Sequence, residues 1–374
     1  MSMKKTAIVV GAGIVGLAMS RALAKKGYAV KVFDRSAFAV GASIRNFGMI
    51  WPIGQTEGKM YERAMLTRNI WTEISNECGI WHDPVGSFHL AYSDLEMETL
   101  EAFYSNVKEN RPYELLDADS VLKKSKAAAP KNLKGGLFSP DEIIVDSPLA
   151  IAALPTYLSN KYKIEFHWQS HVKEVETSKI KLADKEYEAD EIYICNGPDF
   201  ENLFPSIYDE NVTKCKLQML KTVAQPDNWR LGPSLCGGLS LTHYASFKNA
   251  GDALDRLKLH YADTLSDYIK WGIHVMVSQN SRGELIIGDS HEYGPTHDPF
   301  DKIFINDLII NYLKGFTVYP DPTIAATWNG VYTKLKNGAT ELIANPLPGV
   351  TIVNGLGGAG MTLSFGLAEQ IINV

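Results

Sequence analysis

The feature that most constrains the fold is a glycine-rich turn near the amino terminus. Thr6–Val10 is a short β-branched run, the turn Gly11–Gly16 follows it, and a helical pattern then continues to Lys26. Gly27 ends this helix, and Ala29–Phe33 alternates like a second buried strand. This order of strand, turn, helix and strand predicts a β-α-β unit with two parallel strands.

The glycine spacing in this turn matches the fingerprint of a dinucleotide-binding loop. Gly11 would make the tight turn, Gly13 would let the backbone approach a pyrophosphate, and Gly16 would allow close packing of helix on sheet. Ile14 and Val15 open the helix, whose positive end favours phosphate groups. A glycine turn without a ligand is the alternative, and the complete context of strand, helix and second strand weighs against it.

An acidic residue completes this pattern. Asp34 ends the second strand about 20 residues after the turn, where a carboxylate can bind a ribose hydroxyl. The same negative charge disfavours a 2′-phosphate, so the sequence predicts a dinucleotide that lacks one.

A second glycine turn, Gly355–Gly360, has the same formal spacing. Only 14 residues follow Gly360, enough for the predicted helix Met361–Ile372 but too few for a further strand and acid. We therefore expect both chain ends to meet at one nucleotide site. Backbone N–H groups and the positive end of the helix dipole would face a ligand there, which would suit a flavin ring that gains negative charge on reduction.

Composition excludes several classes of protein. A net charge of −6, with no basic cluster beyond pairs such as Lys4-Lys5, argues against nucleic-acid binding. Four cysteines without a CxxC in 374 residues form no disulfide framework, which favours a cytoplasmic protein. The apolar run Ala7–Met19 imitates a secretion signal, but glycines interrupt it and it is shorter than the ~20 residues of a membrane span. We therefore expect mature structure and no membrane span.

Four sequence segments occur along the chain in the order that is seen in one family of proteins: Gly11–Gly16 with Asp34, Ala42-Ser43 to Gly48-Met49, Ala189–Gly197, and Gly355–Thr362. With them the chain resembles, over nearly its whole length, the superfamily of D-amino-acid oxidase, glycine oxidase and sarcosine oxidase, which are FAD-dependent oxidoreductases. Arg45–Pro52 and Gly272–Ser278 are similar to a branch associated with 2-aminoethylphosphonate breakdown.

The resemblance implies an α/β fold with two domains. A Rossmann-like FAD-binding domain with a parallel sheet would be discontinuous and comprise residues 1-90, 145-215 and 325-374. An inserted α+β substrate domain with a mixed, mostly antiparallel sheet would comprise residues 91-144 and 216-324, where alternating segments such as Leu217–Ala224 lengthen.

The resemblance also implies residues that bind the cofactor. The adenosine and diphosphate would contact Gly11, Gly13, Ile14, Val15, Gly16, Asp34 and Arg35. The flavin would lie along Ser43, Arg45, Asn46, Gly48 and Met49. The adenine would meet the backbone at His171-Val172, Asn196 and Gly197 would close the pocket, and Leu356, Gly357, Gly358, Ala359, Gly360 and Met361 would contact the isoalloxazine. Relatives with covalent flavin use a Cys or His, and no thiol lies in either glycine turn, so we expect non-covalent FAD.

The implied function is flavin-dependent oxidation of a small amine or amino acid that carries a carboxylate or phosphonate. A hydride would pass from the substrate carbon to flavin N5, and the imine would hydrolyse to a carbonyl product and ammonia or amine. Dioxygen or another acceptor would reoxidise the flavin. A FAD-dependent dehydrogenase of a 2-hydroxy acid, and a flavin- or nucleotide-binding module without redox activity, are the alternatives.

Four side chains are candidates for the substrate site. Arg45 suits forked binding of a carboxylate or phosphonate, although it could instead be solvated or position only the flavin. On the strand Trp328–Lys334, a period of 2 places Tyr332 and Lys334 on one face, which suits an anionic amine unless the lysine is simply solvated. His274 is either an active-site polar group or a hydrogen-bonded core histidine.

A local cluster has residue types that can bind metal ions: Asp289, His291, Glu292, His297 and Asp298. Its spacing matches no known ligand pattern, and Gly294-Pro295 marks a surface turn. We therefore expect a solvated loop and no metal site.

Overall fold

The computed structural model describes residues 4–208 and 211–373. Its helices are α1 Ile14–Lys25, α2 Lys59–Cys78, α3 Asp94–Val107, α4 Ala118–Lys124, α5 Ser147–Tyr162, α6 Leu239–His243, α7 Asp252–Thr264, α8 Ser266–Lys270, α9 Ile303–Leu313 and α10 Gly360–Ile372. Its strands are β1 Thr6–Val10, β2 Ala29–Phe33, β3 Met49–Ile50, β4 His82–Asp83, β5 Ser87–Ala91, β6 Glu114–Asp117, β7 Gly135–Ser139, β8 Ile143–Val145, β9 Glu165–His167, β10 Glu174–Glu176, β11 Lys179–Lys181, β12 Glu186–Glu188, β13 Glu191–Ile194, β14 Val212–Ala224, β15 Ser234–Cys236, β16 Met276–Gln279, β17 Glu284–Gly288, β18 Glu292–Gly294, β19 Ile324–Leu335, β20 Leu342–Leu347 and β21 Val350–Asn354.

Six strands form a largely parallel sheet in the order β20-β21-β13-β1-β2-β9. Strand β1 pairs in parallel with β2 and β13, and β13 pairs in parallel with β21, while β20 is an antiparallel edge. The β-α-β unit is therefore present as the sequence predicts. Strand β21, close to the carboxyl end, belongs to the same sheet as β1, so both glycine turns follow strands of one sheet.

A helical layer covers this sheet with a continuous apolar core. Leu17 of α1, Trp71 of α2, Leu154 of α5 and Phe365 of α10 are all buried in one cluster. Helix α10 packs against both α1 and α2. At Gly366 an added Cβ would lie 2.4 Å from the carbonyl oxygen of Arg63, so the approach of α10 to α2 requires glycine there.

The second sheet contains nine strands in the order β18-β14-β17-β16-β15-β5-β7-β6, with β19 also paired to β14. All its pairs are antiparallel except β15 with β5, so the mixed, mostly antiparallel sheet is confirmed. The predicted domain boundaries after residues 90 and 215 fall inside β5 and β14. Strand β19, which the sequence assigns to the first domain, lies in this second sheet, because its whole length pairs with β14.

Two local details complete the fold. Helix α3 begins with Ser93 as its cap, because the Ser93 hydroxyl and the Glu96 carboxylate exchange hydrogen bonds with each other's backbone N–H groups. Within the described ranges, no helix combines the length and apolar character that crossing a membrane requires.

Candidate functional site

A cavity of about 730 Å³ lies where the two sheets meet. Its wall takes residues from the carboxyl ends of β1, β2, β13 and β21, and also from β14 and β19 of the mixed sheet. Open α/β sheets bind ligands outside the carboxyl ends of their strands, so the topology places a binding site here.

The first glycine turn is built so tightly that side chains cannot replace two of its glycines. Gly11 has φ +102°, and a Cβ there would lie 2.4 Å from the carbonyl oxygen of Cys195. A Cβ on Gly16 would lie 1.9 Å from the carbonyl oxygen of Gly11. The backbone of β1, the turn and α1 is therefore packed as a single rigid support for the cavity wall.

The start of α1 opens onto the cavity. Gly13, Ile14 and Val15 line the wall, and the Ile14 N–H donates to the Ser43 hydroxyl at 2.9 Å. Because the first turn of a helix leaves N–H groups without partners inside the helix, this end offers donors and a positive dipole to an anion.

Asp34 holds the turn from the end of β2. Its carboxylate accepts hydrogen bonds from the N–H groups of Ala12 and Ser36, each at 2.8 Å. Each carboxylate oxygen keeps a further lone pair, so a ribose hydroxyl can still donate to it. Arg35 follows on the wall, where it forms an ion pair with Asp199.

The loop that follows β2 is shaped by Asn46. Its amide donates to the carbonyl oxygens of Ala42 and Ser43 at 3.0 and 2.9 Å, and its side-chain oxygen accepts from the Gly48 N–H at 2.8 Å. Arg45 lies on the cavity wall and donates to the carbonyl oxygen of Asn329 at 3.1 Å. Asn46 thus fixes the loop, and Arg45 joins it to β19.

The second glycine turn forms the opposite part of the wall. Gly355 and Gly357 have φ +75° and +58°, values that disfavour other residues. Tyr332 and Lys334 of β19 pack against this turn. A Cβ added to Gly358 would lie 3.6 Å from the Tyr332 hydroxyl, and one added to Gly357 would lie 3.9 Å from Lys334 Nζ. The turn and the mixed sheet therefore meet at this part of the cavity wall.

The cavity brings together most of the residues that the sequence singles out. The lining includes Gly11, Gly13, Ile14, Val15, Asp34, Arg35, Ser43, Arg45, Asn46, Met49, His171, Val172, Asn196, Gly197, His274, Tyr332, Lys334 and Leu356 to Met361. Among the residues singled out from the sequence for this site, Gly16, Gly48 and Trp328 do not line it. Gly16 and Gly48 pack against backbone behind the wall, and Trp328 lies against the small apolar cluster around Met219.

One expectation about the cluster near Gly294 is wrong. Asp289 and His291, expected in a solvated loop, are only 5% and 7% exposed and line the cavity. The reason is backbone pairing, since Asp289 and His274 exchange N–H···O bonds of 3.0 and 3.2 Å that continue the sheet inward. No local signal in the sequence marks Asp289 and His291, because every position from Leu285 to His291 is buried and the segment therefore shows no alternation.

Three imidazoles stand together on this wall. The rings of His243 and His274 lie 3.7 Å apart and 29° from parallel, and those of His274 and His291 lie 5.2 Å apart and 20° from parallel. One nitrogen from each lies within 4.8 Å of the others. The absence of a metal site stays a prediction.

Two of these imidazoles are held neutral. Burial lowers the pKa of His274 well below the usual value and that of His291 to about 4. The ammonium of Lys334 acts in the same direction on His243 and His291. Among the described residues Lys334 forms no ion pair, so its ammonium is available to an anionic group, as is the guanidinium of Arg45.

Comparison with known proteins agrees with this architecture. Residues 6–373 match the profile of the DAO family, described as FAD dependent oxidoreductase. Among proteins of curated function, none matches the sequence.

Solved structures with the same fold include L-proline dehydrogenase from P. horikoshii (TM-score 0.78, 18% identity, covering 100% of this chain and 93% of that one). Glycine oxidase from Geobacillus kaustophilus is also similar (TM-score 0.75, 18% identity, 98% and 93%). So is L-alpha-glycerophosphate oxidase from Mycoplasma pneumoniae with FAD bound (TM-score 0.76, 15% identity, 100% and 95%).

Proposed function

This chain belongs to the DAO family of FAD-dependent oxidoreductases, and from that premise we propose that it oxidises a small amine or amino acid carrying an acidic group. One observation carries the choice of substrate. Arg45 and Lys334 bring two cations to a cavity wall that also holds the glycine turns Gly11–Gly16 and Gly355–Gly360. An anionic substrate bound by these cations would be held next to the second turn, beside the cofactor.

The residues present fit FAD. The diphosphate would meet the N–H groups of Gly13 and Val15 at the start of α1, and the adenosine ribose would meet Asp34. When bound, FAD supplies a two-electron acceptor for a hydride from the substrate carbon. The turn Gly355–Gly360 has the open backbone that a flat ring system needs, because its glycines add no side chain to the cavity.

The cofactor is proposed to bind without a covalent link. Cys195 lines the cavity, but burial raises the pKa of its thiol far above the usual value, which keeps the sulfur in its less reactive neutral form. Acid precipitation of the protein should therefore release the flavin into the supernatant, and yellow colour retained in the pellet would contradict non-covalent binding.

The acidic group is proposed to meet Arg45 and Lys334. The Arg45 guanidinium uses one N–H on the carbonyl oxygen of Asn329, which leaves others in its planar fork for a carboxylate or phosphonate. Lys334, which lies on β19 as Asn329 does, adds a point charge. The tetrahedral, doubly charged phosphonate of 2-aminoethylphosphonate would engage both cations, and the strings Arg45–Pro52 and Gly272–Ser278 support that substrate.

The test uses the flavin as its own indicator. Purified protein should be yellow, and its absorbance should be bleached without oxygen by a member of a panel containing 2-aminoethylphosphonate, β-alanine, glycine and matched 2-hydroxy acids. Bleaching by an amine supports the proposal, whereas bleaching only by hydroxy acids would replace it with a 2-hydroxy acid dehydrogenase. Readmitting dioxygen, or adding a dye, then identifies the acceptor that reoxidises the flavin.

A further inference from the structure

Asp289 places a buried carboxyl group on the cavity wall. The residue is only 5% exposed, and its Oδ1 atom lies 3.1 Å from Nε2 of His274. Within the described part of the chain, neither Asp289 Oδ1 nor His274 Nδ1 has a hydrogen-bond partner. Buried polar atoms are almost always paired, so two orphans that line one cavity point to a ligand that pairs with them, and the carboxylate oxygen of Asp289 requires a donor.

The groups around this carboxyl cannot supply that donor. The Nδ1 atom of His291 faces the carbonyl oxygen of Gly272 at 2.9 Å, so in the neutral ring Nδ1 carries the proton and Nε2 is an acceptor. That Nε2 atom lies 3.9 Å from Asp289 Oδ2. The Tyr244 hydroxyl already contacts the sulfur of Met276 at 3.2 Å. His274 Nε2 lies within reach of Asp289 Oδ1, but no hydrogen bond of adequate geometry joins the two atoms, so Oδ1 is left without a donor.

Charged and titratable groups face the carboxyl from every neighbouring element. They are His274 before β16, His243 and Tyr244 at the end of α6, His291 and Tyr293 around β18, Cys215 on β14, and Tyr332 and Lys334 on β19. Burial holds His274 and His291 neutral and raises the pKa values of Tyr332, Tyr244 and Cys215, so these groups are uncharged at neutral pH. Asp289 is the acid of this cluster and Lys334 its cation.

We propose that Asp289 is a catalytic residue that binds the ammonium group of the substrate and accepts its proton before oxidation. This inference rests on the proposed oxidation of an amine. In the step, one N–H bond of the ammonium breaks, its electron pair stays on nitrogen, and the proton forms an O–H bond with the carboxylate. No electrons leave the substrate, and the product is the neutral amine from which a hydride can depart.

The surroundings favour the carboxylate over the imidazoles in this role. Burial raises the pKa of Asp289 well above its usual value, which makes its carboxylate a stronger base than an exposed aspartate. The same burial lowers the pKa of His274 and His291 and makes them weaker bases. His274 is instead a positioning residue. Its ring lies against Oδ1 of Asp289 and keeps the carboxyl group at the surface of the cavity.

The experiment measures the anaerobic rate of flavin bleaching at saturating amine across pH. In the FAD-loaded Asp289→Asn variant this rate should fall about 10²–10⁴-fold at pH 7, as for loss of a general base. It should recover towards the wild-type rate as the pH approaches the pKa of the amine itself, because the substrate then arrives neutral. Asp289→Glu, which keeps a carboxylate, should restore much of the rate at pH 7.

Asp141→Asn is the matched control. Asp141 is also a buried aspartate with a raised pKa, but it accepts a hydrogen bond from Tyr61 and lies outside the cavity lining. Its substitution should leave the pH profile unchanged.

Three results would overturn the inference while leaving amine oxidation intact. They are a wild-type rate in Asp289→Asn at pH 7, a deficit in that variant that is equal at every pH, and an Asp289→Glu variant as slow as the asparagine variant. If instead no amine bleaches the wild-type flavin, the proposed function itself fails.

Discussion

At the scale of single residues, the cavity places a charged ammonium group near imidazole rings that stay neutral. Lys334 lies beside the second glycine turn without an ion-pair partner among the described residues, while nearby imidazoles are kept uncharged by burial and by this ammonium. A neutral imidazole cannot attract an anion as strongly as an ammonium can. The anionic end of a substrate is therefore expected to depend on Lys334 and Arg45 rather than on the histidines.

Replacing Lys334 or Arg45 by alanine should weaken substrate binding and leave the flavin bound. A charge-assisted hydrogen bond contributes about 1.5–3 kcal/mol, which corresponds to roughly a 10–100-fold rise in KM for each variant. Steady-state kinetics together with the flavin spectrum check this prediction. Lys314→Ala, which removes an exposed lysine outside the cavity lining, is the control, and unchanged KM values in both cavity variants would refute the anion site.

At the scale of elements, local signals predicted the parallel sheet well. The bounds of β1 and β2 agree with the sequence prediction because each strand is a short β-branched run that a glycine turn or a polar residue ends. The membership of β19 could not be predicted in this way. Its place in the mixed sheet depends on pairing with β14, about a hundred residues earlier, and local periodicity contains no information about such a partner.

In the candidate site, too, local sequence signals identify some residues, whereas others depend on contacts that are distant in the sequence. Residues carried by glycine motifs were identifiable because a turn of this kind has one mechanical purpose. Asp289 and His291 were misplaced because Gly294-Pro295 indicates a surface turn, whereas the inward pairing of Asp289 with His274 is a tertiary contact. His243 reaches the cavity through the packing of α6, and its neighbours in the sequence, rich in glycine and serine, indicate only a loop.

The junction of β1 and α1 should not tolerate a single added methyl group. In Gly16→Ala the new Cβ would stand 1.9 Å from the Gly11 carbonyl oxygen, so α1 must shift away from the sheet. We expect a loss of roughly 1–3 kcal/mol in stability and much weaker FAD binding. Thermal unfolding and FAD titration test this. In the control Gly294→Ala the added Cβ meets its neighbour at an ordinary 3.4 Å, so equal effects in both variants would contradict the close packing at Gly16.

At the scale of the whole molecule, the cavity wall belongs to both sheets, so a cofactor held there connects them. Gly13 and Asn196 reach it from the parallel sheet, and Leu217 and Tyr332 reach it from the mixed sheet. A ligand that contacts both sides stabilises the folded chain as one unit. The two domains are therefore expected to unfold together when FAD is bound.

Adding FAD to protein stripped of its flavin should raise Tm in proportion to the logarithm of free FAD. At a concentration of 100 times Kd the gain is about 2.7 kcal/mol, because only the folded state binds. Differential scanning calorimetry should show a single transition that moves upward. FMN lacks the adenosine that Asp34 is expected to bind and should stabilise less, and a Tm independent of FAD would contradict a cofactor role for the cavity.

The return of the carboxyl end to the first sheet has a consequence for biosynthesis. Strand β1 leaves the ribosome long before the turn Gly355–Gly360 and helix α10, which packs on α1. A nascent chain therefore has no complete pocket until α10 has been synthesised. Uptake of FAD then reports that this helix has reached its place on α1, and a chain terminated before Gly355 would be colourless and would expose the apolar face of α1 to proteolysis.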